Sequence, residues 1–139
     1  APREEVLSAL YQRYDVIISE ADGSRGLPLK LHTERDPVIH PLTTAVIGVM
    51  GLWGIGDKIY SSVFGDGRDG IIDDSYLSWY LNADEGLSKG FCGRCAIVLN
   101  GADSYKGDIS GLAGLEYPAS ASAAAASIRE DKVFSVVKG

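Results

Sequence analysis

Two acidic and two basic side chains follow one short apolar run near the start of the chain. Glu20 and Asp22 end the run, and Arg25 and Lys30 lie in the glycine- and proline-containing segment beyond it. Carboxylates can hold a hydrated Mg²⁺, and basic side chains can bind phosphate oxygens. We therefore predict that Glu20 and Asp22 are catalytic residues that bind Mg²⁺. Arg25 and Lys30 are predicted to bind a phosphate or another anion, the alternative being two surface side chains in weak ion pairs.

A buried strand is expected to position these side chains. Residues 15–20 include three consecutive apolar residues, which is typical of a strand covered on both faces. In open parallel sheets, ligands bind beyond the carboxyl ends of the strands. The segment 21–42 contains three prolines and is predicted to be a loop, and a loop of this length is more often functional than idle.

The same segment carries a family resemblance. Residues 20–30, EADGSRGLPLK, followed by DPVI at 36–39, resemble the signature of the selenium-dependent hydroxylase accessory proteins, the YqeC-like family. Residues 46–52, 85–90 and 97–103 resemble later family motifs in the same order. The resemblance implies a phosphate-loop nucleotide-binding protein that assists maturation of selenium-containing molybdenum hydroxylases. It implies Mg²⁺ and ATP or GTP as ligands of the complete protein, and a molybdenum hydroxylase or its maturation machinery as a partner.

The resemblance also suggests a site for a nucleotide base. Asn100 and Asp103 resemble the base-recognition motif of GTP-binding proteins, in which the aspartate accepts hydrogen bonds from guanine. Gly101 stands where that motif usually has a lysine. We predict that Asn100 and Asp103 bind the base, the alternative being a polar turn after a strand.

Part of the family pattern is not found in this sequence. Family members have a Gly-Gly-Gly-Lys-Thr type phosphate loop, and no such motif precedes Tyr14; His32 stands where proline is usual, and Asp36 where glutamate is usual. We expect the C-terminal part of such a protein, inactive alone. Its predicted partner is the N-terminal half or a second copy in a homodimer. The alternative is a non-catalytic module that binds an anion or a partner.

Composition narrows the class of protein. The chain has 139 residues, 45% of them hydrophobic, and a net charge of −6. These values suit a single α/β domain spanning residues 1–139 and argue against a nucleic-acid partner, which would require a basic face. The longest apolar stretch, residues 45–56, is too short and too glycine-rich to cross a membrane, and no secretory leader is evident. We therefore expect a cytoplasmic protein.

The remaining elements follow from periodicity. Alternating strands and helices predict an α/β fold with right-handed connections. Together with the family resemblance, they suggest a three-layer, mostly parallel sheet like that of a P-loop NTPase without its first strand and Walker A loop. The predicted helices are 4–14, 75–81 with Asp73 or Asp74 as its N-cap, and 119–130, and the predicted strands are 15–20, 44–50, 95–99 and 133–137.

The two cysteines form a Cys-x-x-Cys motif, Cys92 to Cys95. A redox motif of this kind normally begins a helix, whereas this one precedes a predicted strand. Zinc would need two more ligands, and His32 and His40 are the only histidines. We expect Cys95 to pack as a small apolar residue, with metal, disulfide or selenium chemistry as alternatives.

Overall fold

The computed structural model describes residues 4–139. They contain three α-helices and six strands, with short 3₁₀ helices at Leu52–Gly54 and Ile109–Gly114. The helices are α1 (Glu4–Tyr11), α2 (Ile59–Ser62) and α3 (Asp74–Asn82). The strands are β1 (Leu29–Lys30), β2 (Ala45–Gly51), β3 (Val63–Phe64), β4 (Arg94–Asn100), β5 (Ala121–Ser127) and β6 (Lys132–Lys138).

The main sheet has four strands in the order β2-β4-β5-β6. The first three are parallel, and β6 joins β5 antiparallel. A second sheet is a short parallel pair in which Leu29 faces Val63 and Lys30 faces Phe64. The mixed α/β class and the mostly parallel strands predicted from the sequence are thus confirmed.

One face of the main sheet is covered, and the other is open at both edge strands. On the covered face, Met50, Ile97 and Leu99 share a buried core with apolar side chains of α3. On the opposite face, Ile47, Val49 and Val136 are 65%, 48% and 69% exposed. The predicted third layer therefore does not cover β2 and β6 at these positions in residues 4–139.

The predicted strand at residues 15–20 is wrong. This segment has no regular secondary structure and pairs with no described strand, and Val16 and Ile18 are 75% and 93% exposed. A strand needs a neighbour for its backbone N–H and C=O groups, and no neighbour lies beside this segment in the described residues. The consecutive apolar side chains predict a buried strand, but side-chain type alone does not supply a strand to pair with.

The predicted helix at residues 119–130 is also wrong, because most of it forms β5. Alanine favours a helix locally, but β5 lies between β4 and β6 and pairs with both. Backbone hydrogen bonds on both sides therefore override the local preference.

The other elements agree with the sequence within a few residues. β2, β4, β6 and α3 all form where they are predicted, and α1 ends at Tyr11 instead of residue 14. The side chain of Asp73 accepts a hydrogen bond from the Tyr76 N–H at 2.8 Å, which confirms Asp73 as the N-cap of α3. None of the helices in residues 4–139 has the length and apolar character needed to cross a bilayer.

Candidate functional site

A cleft of about 340 Å³ lies between the loop of residues 20–30 and β2. β2 is the last strand of its sheet, so in the described residues it pairs with β4 on one side only. The Gly51 N–H points away from β4 and donates to the Pro28 carbonyl at 2.8 Å, which joins the loop to the end of β2. Ligands of open parallel sheets bind at such carboxyl ends.

A tight turn shapes the loop that borders the cleft. The Leu27 N–H donates to the Ser24 carbonyl at 3.2 Å, and the Ser24 hydroxyl donates to the Leu27 carbonyl at 2.8 Å. Arg25 and Gly26 between them have φ values of 56° and 81°. Glycine adopts this left-handed conformation without a steric cost, whereas arginine does not. The turn leads directly into β1.

β1 is anchored to α3 through Tyr80. The Tyr80 hydroxyl accepts a hydrogen bond from the Lys30 N–H at 3.2 Å. Burial raises the pKa of Tyr80 to about 12, so its hydroxyl stays neutral at physiological pH. This contact fixes the backbone from which the Lys30 side chain projects.

Lys30 is a buried cation held between two carboxylates. Its Nζ lies 3.2 Å from Asp22 Oδ2 and also forms an ion pair with Asp36. Burial alone would lower the pKa of Lys30, but the hydrogen bonds and charges of the two aspartates outweigh it and raise that pKa. Burial likewise opposes ionisation of Asp36, yet hydrogen bonds from Lys30 and Thr33 hold its pKa well below the usual range. The positive charge of Lys30 is therefore largely compensated within the protein.

His32 completes this cluster, although the sequence marked it only as a departure from the family pattern. Its Nε2 lies 2.8 Å from Asp22 Oδ2, and its Nδ1 lies 2.8 Å from the Gly86 carbonyl oxygen. Each ring nitrogen thus contacts an oxygen, one of a carboxylate and one of a backbone carbonyl. His32 thus connects the Asp22 loop to the turn after α3.

The structure brings three of the four predicted loop residues to the cleft. Glu20, Asp22 and Lys30 line it. Mg²⁺ in proteins is often held by one or two carboxylates and several waters, and Mg²⁺ binding by Glu20 and Asp22 stays a prediction. Among residues 4–139, no group of three or more His, Cys, Asp or Glu side chains could hold a metal ion on its own.

Arg25 and Lys30 both contact the aromatic ring of Phe64. The Arg25 guanidinium carbon is 5.1 Å from the centre of the Phe64 ring, and Lys30 Nζ is 5.9 Å from the same centre. Such contacts stabilise cations over aromatic faces. The two predicted anion contacts therefore share one aromatic ring, and Asp22 and Asp36 compensate the charge of Lys30.

Asn100 and Asp103 lie at and just beyond the carboxyl end of β4, and both contact the turn after β5. Asn100 Oδ1 accepts from the Ile128 N–H at 2.9 Å, and Asp103 pairs with Arg129. A hydrogen bond from Ser127 and then the charge of Arg129 lower the pKa of Asp103. These contacts join the ends of two neighbouring strands. Base binding by Asn100 and Asp103 stays a prediction.

A second polar network, not expected from the sequence, lies around Asp66. Its buried carboxylate accepts from the Arg68 guanidinium at 2.6 Å and from the Tyr76 hydroxyl at 2.8 Å. Arg68 in turn stacks on Trp79, with its guanidinium carbon 4.1 Å from a ring centre. The hydrogen bond from Arg68 is the main reason that the pKa of Asp66 falls to about 2. The spacing Asp-x-Arg is the signal that could have indicated this pair.

Both cysteines are free thiols at the start of β4. Cys95 packs against the hydrophobic core, as expected, and its Sγ lies 3.5 Å from the Cys92 carbonyl oxygen. Burial raises the pKa of Cys95, which makes its thiol less reactive.

Comparison with known proteins supports the resemblance over the first part of the chain. Residues 1–65 match the sequence model of the family described as "YqeC protein". This stretch is similar to the YqeC family. It includes α1, the cleft loop with Glu20, Asp22 and Lys30, and β2.

One curated relative of this chain is the "Uncharacterized protein YqeC" of Escherichia coli (strain K12). It is 49% identical to this chain over 57 residues, which is 40% of this chain and 22% of the relative. The match thus spans about a fifth of the curated YqeC protein. No solved structure matches the chain.

Proposed function

We propose that this chain is part of a phosphate- or nucleotide-binding accessory protein. It would contribute the acidic residues that bind the metal and the basic residues that bind phosphate. The observation that carries the proposal is the cleft in which Glu20, Asp22 and Lys30 meet beside the end of β2. The family resemblance gives the biological setting, which is maturation of selenium-dependent molybdenum hydroxylases. In this setting Mg²⁺ and ATP or GTP are the ligands of the complete protein.

The chemistry of the cleft suits a metal-bound phosphate better than a bare anion. Asp22 and Asp36 use two of the three donor protons of Lys30, which leaves one for a phosphate oxygen. Mg²⁺ held by Glu20 and Asp22 would supply the further positive charge that a triphosphate requires. Lys89 is a further cation that lines the cleft, and Arg25 lies on the same loop outside that lining.

Hydrolysis requires more than these residues. A phosphate loop supplies backbone N–H donors and a lysine to the β- and γ-phosphates. The motif that provides them is not found in this sequence. We therefore expect no ATP or GTP turnover by this chain alone, and turnover that Glu20→Gln abolishes would contradict this.

An NMR titration with inorganic phosphate, with and without Mg²⁺, tests the site. Phosphate should shift the backbone amide signals of residues 22–30, and Mg²⁺ should enlarge the shifts. Arg25→Ala should reduce them, whereas Arg35→Ala, a change at an exposed arginine of the same segment, should not. If Arg25→Ala leaves every phosphate-induced shift unchanged, Arg25 is not an anion ligand.

A second function, a module that binds a partner without catalysis, is favoured by a different observation. In the described residues β2 pairs on one side only, and the unpaired segment 15–20 exposes Val16 and Ile18. An exposed strand edge can pair with another polypeptide. We propose the N-terminal half of a longer protein or a second copy of this chain as that polypeptide. Association with such a polypeptide, together with no phosphate-induced shift of the backbone amide signals with or without Mg²⁺, would favour this function over the first.

A further inference from the structure

Trp53 holds an unusual position at the carboxyl end of β2. It is 53% exposed and lines the same cleft as Asp22 and Lys30. Large apolar side chains near a strand end are more often buried, because burial of aromatic surface is a major stabilising term. Here a broad aromatic surface remains accessible beside charged groups.

Two glycines allow the indole to lie against the strand ends. A β-carbon at Gly51 would lie 2.5 Å from the indole ring of Trp53, and one at Gly101 would lie 3.1 Å from it. Both distances are shorter than ordinary van der Waals contact, so the ring can occupy this place only because neither residue has a side chain. The backbone thus supports the indole across the ends of β2 and β4.

A hydrogen-bonding group lies next to this aromatic surface. In the β2–β4 register, Asn100 is the partner of Gly51. Its Oδ1 accepts from the Ile128 N–H, which fixes the amide and leaves Nδ2 as the donor for a ligand. Asp103, in contrast, is paired with Arg129. The Asn100 amide, in register with the Gly51 that supports the indole, is therefore the candidate donor to a planar ligand on Trp53.

From this arrangement we infer that Trp53 is a stacking platform for a nucleobase. The inference rests on the proposed function, because it assigns the base end of a ligand whose phosphates would lie toward Lys30. Every base has an aromatic face, so stacking on Trp53 tolerates different bases. The Asn100 amide then favours bases that present an acceptor at their edge.

Tryptophan fluorescence tests this inference directly, because the chain has only two tryptophans. Trp79→Phe leaves Trp53 as the sole indole, and Trp53→Phe leaves Trp79, which stacks on Arg68. The probes are adenosine, guanosine and cytidine, with ribose 5-phosphate as the control that has no base. Excitation at the red edge of indole absorption avoids absorption by the bases.

We expect saturable quenching by nucleosides in Trp79→Phe, none in Trp53→Phe, and none by ribose 5-phosphate in either. Quenching that does not saturate, or that is equal in the two variants, would overturn the inference. Circular dichroism checks that both variants fold, and the Trp79→Phe titration is decisive even if Trp53→Phe does not fold. If inorganic phosphate shifts residues 22–30 but nucleosides do not quench, the stacking platform is wrong and the phosphate site stands. If phosphate causes no shifts, the proposed function itself fails.

Discussion

Lys30 is the residue on which the cleft loop depends. It is buried and joins Asp22 to Asp36, which lie 14 positions apart in the sequence. Lys30→Met would leave two partly buried carboxylates without their cation, and removal of one partner from such a pair costs about 3–5 kcal/mol. We expect a loss of this size in the free energy of unfolding, measured with urea.

Lys58→Met is the matched control for Lys30→Met. Lys58 is exposed and its Nζ lies 3.9 Å from the exposed Asp69 carboxylate. An exposed pair of this kind contributes about 0–1 kcal/mol. Equal effects of the two substitutions would show that Lys30 is solvated and that the cluster does not hold the loop.

Because of Asp66, the free energy of unfolding should fall as the pH is lowered into the acid range. Its pKa falls from an ordinary value of 3.8 to about 2 in the folded protein. A group with a lowered pKa stabilises the folded state above its unfolded pKa, and this contribution is lost as the pH falls toward its folded pKa. The shift corresponds to about 2 kcal/mol, lost between about pH 4 and pH 2.

Asp66→Asn should therefore destabilise the protein at pH 7 and flatten the loss of stability over that acid range. Thermal unfolding at several pH values measures both effects. Asp69→Asn, which changes an exposed carboxylate nearby, should leave the curve as in the unmodified protein. Asp36, whose pKa is also lowered, should keep its own acid dependence in the variant.

At the scale of elements, α3 depends for its start on Asp73, the N-cap that precedes its first residue. The Asp73 carboxylate accepts the Tyr76 N–H, one of the backbone donors that a helix leaves unpaired. Asp73→Ala should lower the free energy of unfolding by about 1 kcal/mol. Asp74→Ala, inside the first turn, removes only a favourable charge near the helix dipole and should cost less. The reverse order, measured by urea unfolding, would contradict the cap.

The elements also show what a sequence can predict. α3 has an N-cap signal and a cluster of apolar side chains. β2 and β4 are mostly apolar runs. At these elements the local signals agree with the fold. The segment at residues 15–20 has an apolar run like that of β2, but within residues 4–139 it has no strand to pair with. Its placement depends on a neighbour, which composition does not encode.

The candidate site also combines features that the local sequence predicts with contacts that it does not predict. The sequence located Glu20, Asp22 and Lys30 at one cleft because a motif names them together. It did not indicate that Asp36 would pair with Lys30 or that His32 would contact Asp22. Nor did it indicate that the Trp53 ring would lie against Gly51. These contacts come from parts of the chain that meet only after the β1–β3 pair and the main sheet have formed.

At the scale of the whole molecule, the one-sided pairing of β2 predicts association. β2 combines an open edge with the exposed side chains of Ile47 and Val49. We expect sedimentation at micromolar concentration to show a dimer or a co-purifying polypeptide. Val49→Lys should weaken this association, because a charge on an edge strand opposes pairing. Val136→Lys, on the opposite edge strand β6, is the matched control, and a stable monomer with no bound polypeptide would disprove the association.

The alanines of β5 have a consequence for the time course of folding. Four of its seven residues, 123–126, are consecutive alanines, which as an isolated peptide favour a helix. The newly made segment therefore starts in a conformation that the finished sheet does not contain, and it changes to a strand only when β4 is already in place. A synthetic peptide of residues 119–130 should show helical circular dichroism that increases on cooling. In the whole chain, β5 should be among the last segments whose amide protons become protected from exchange during refolding, and early protection there would contradict this order.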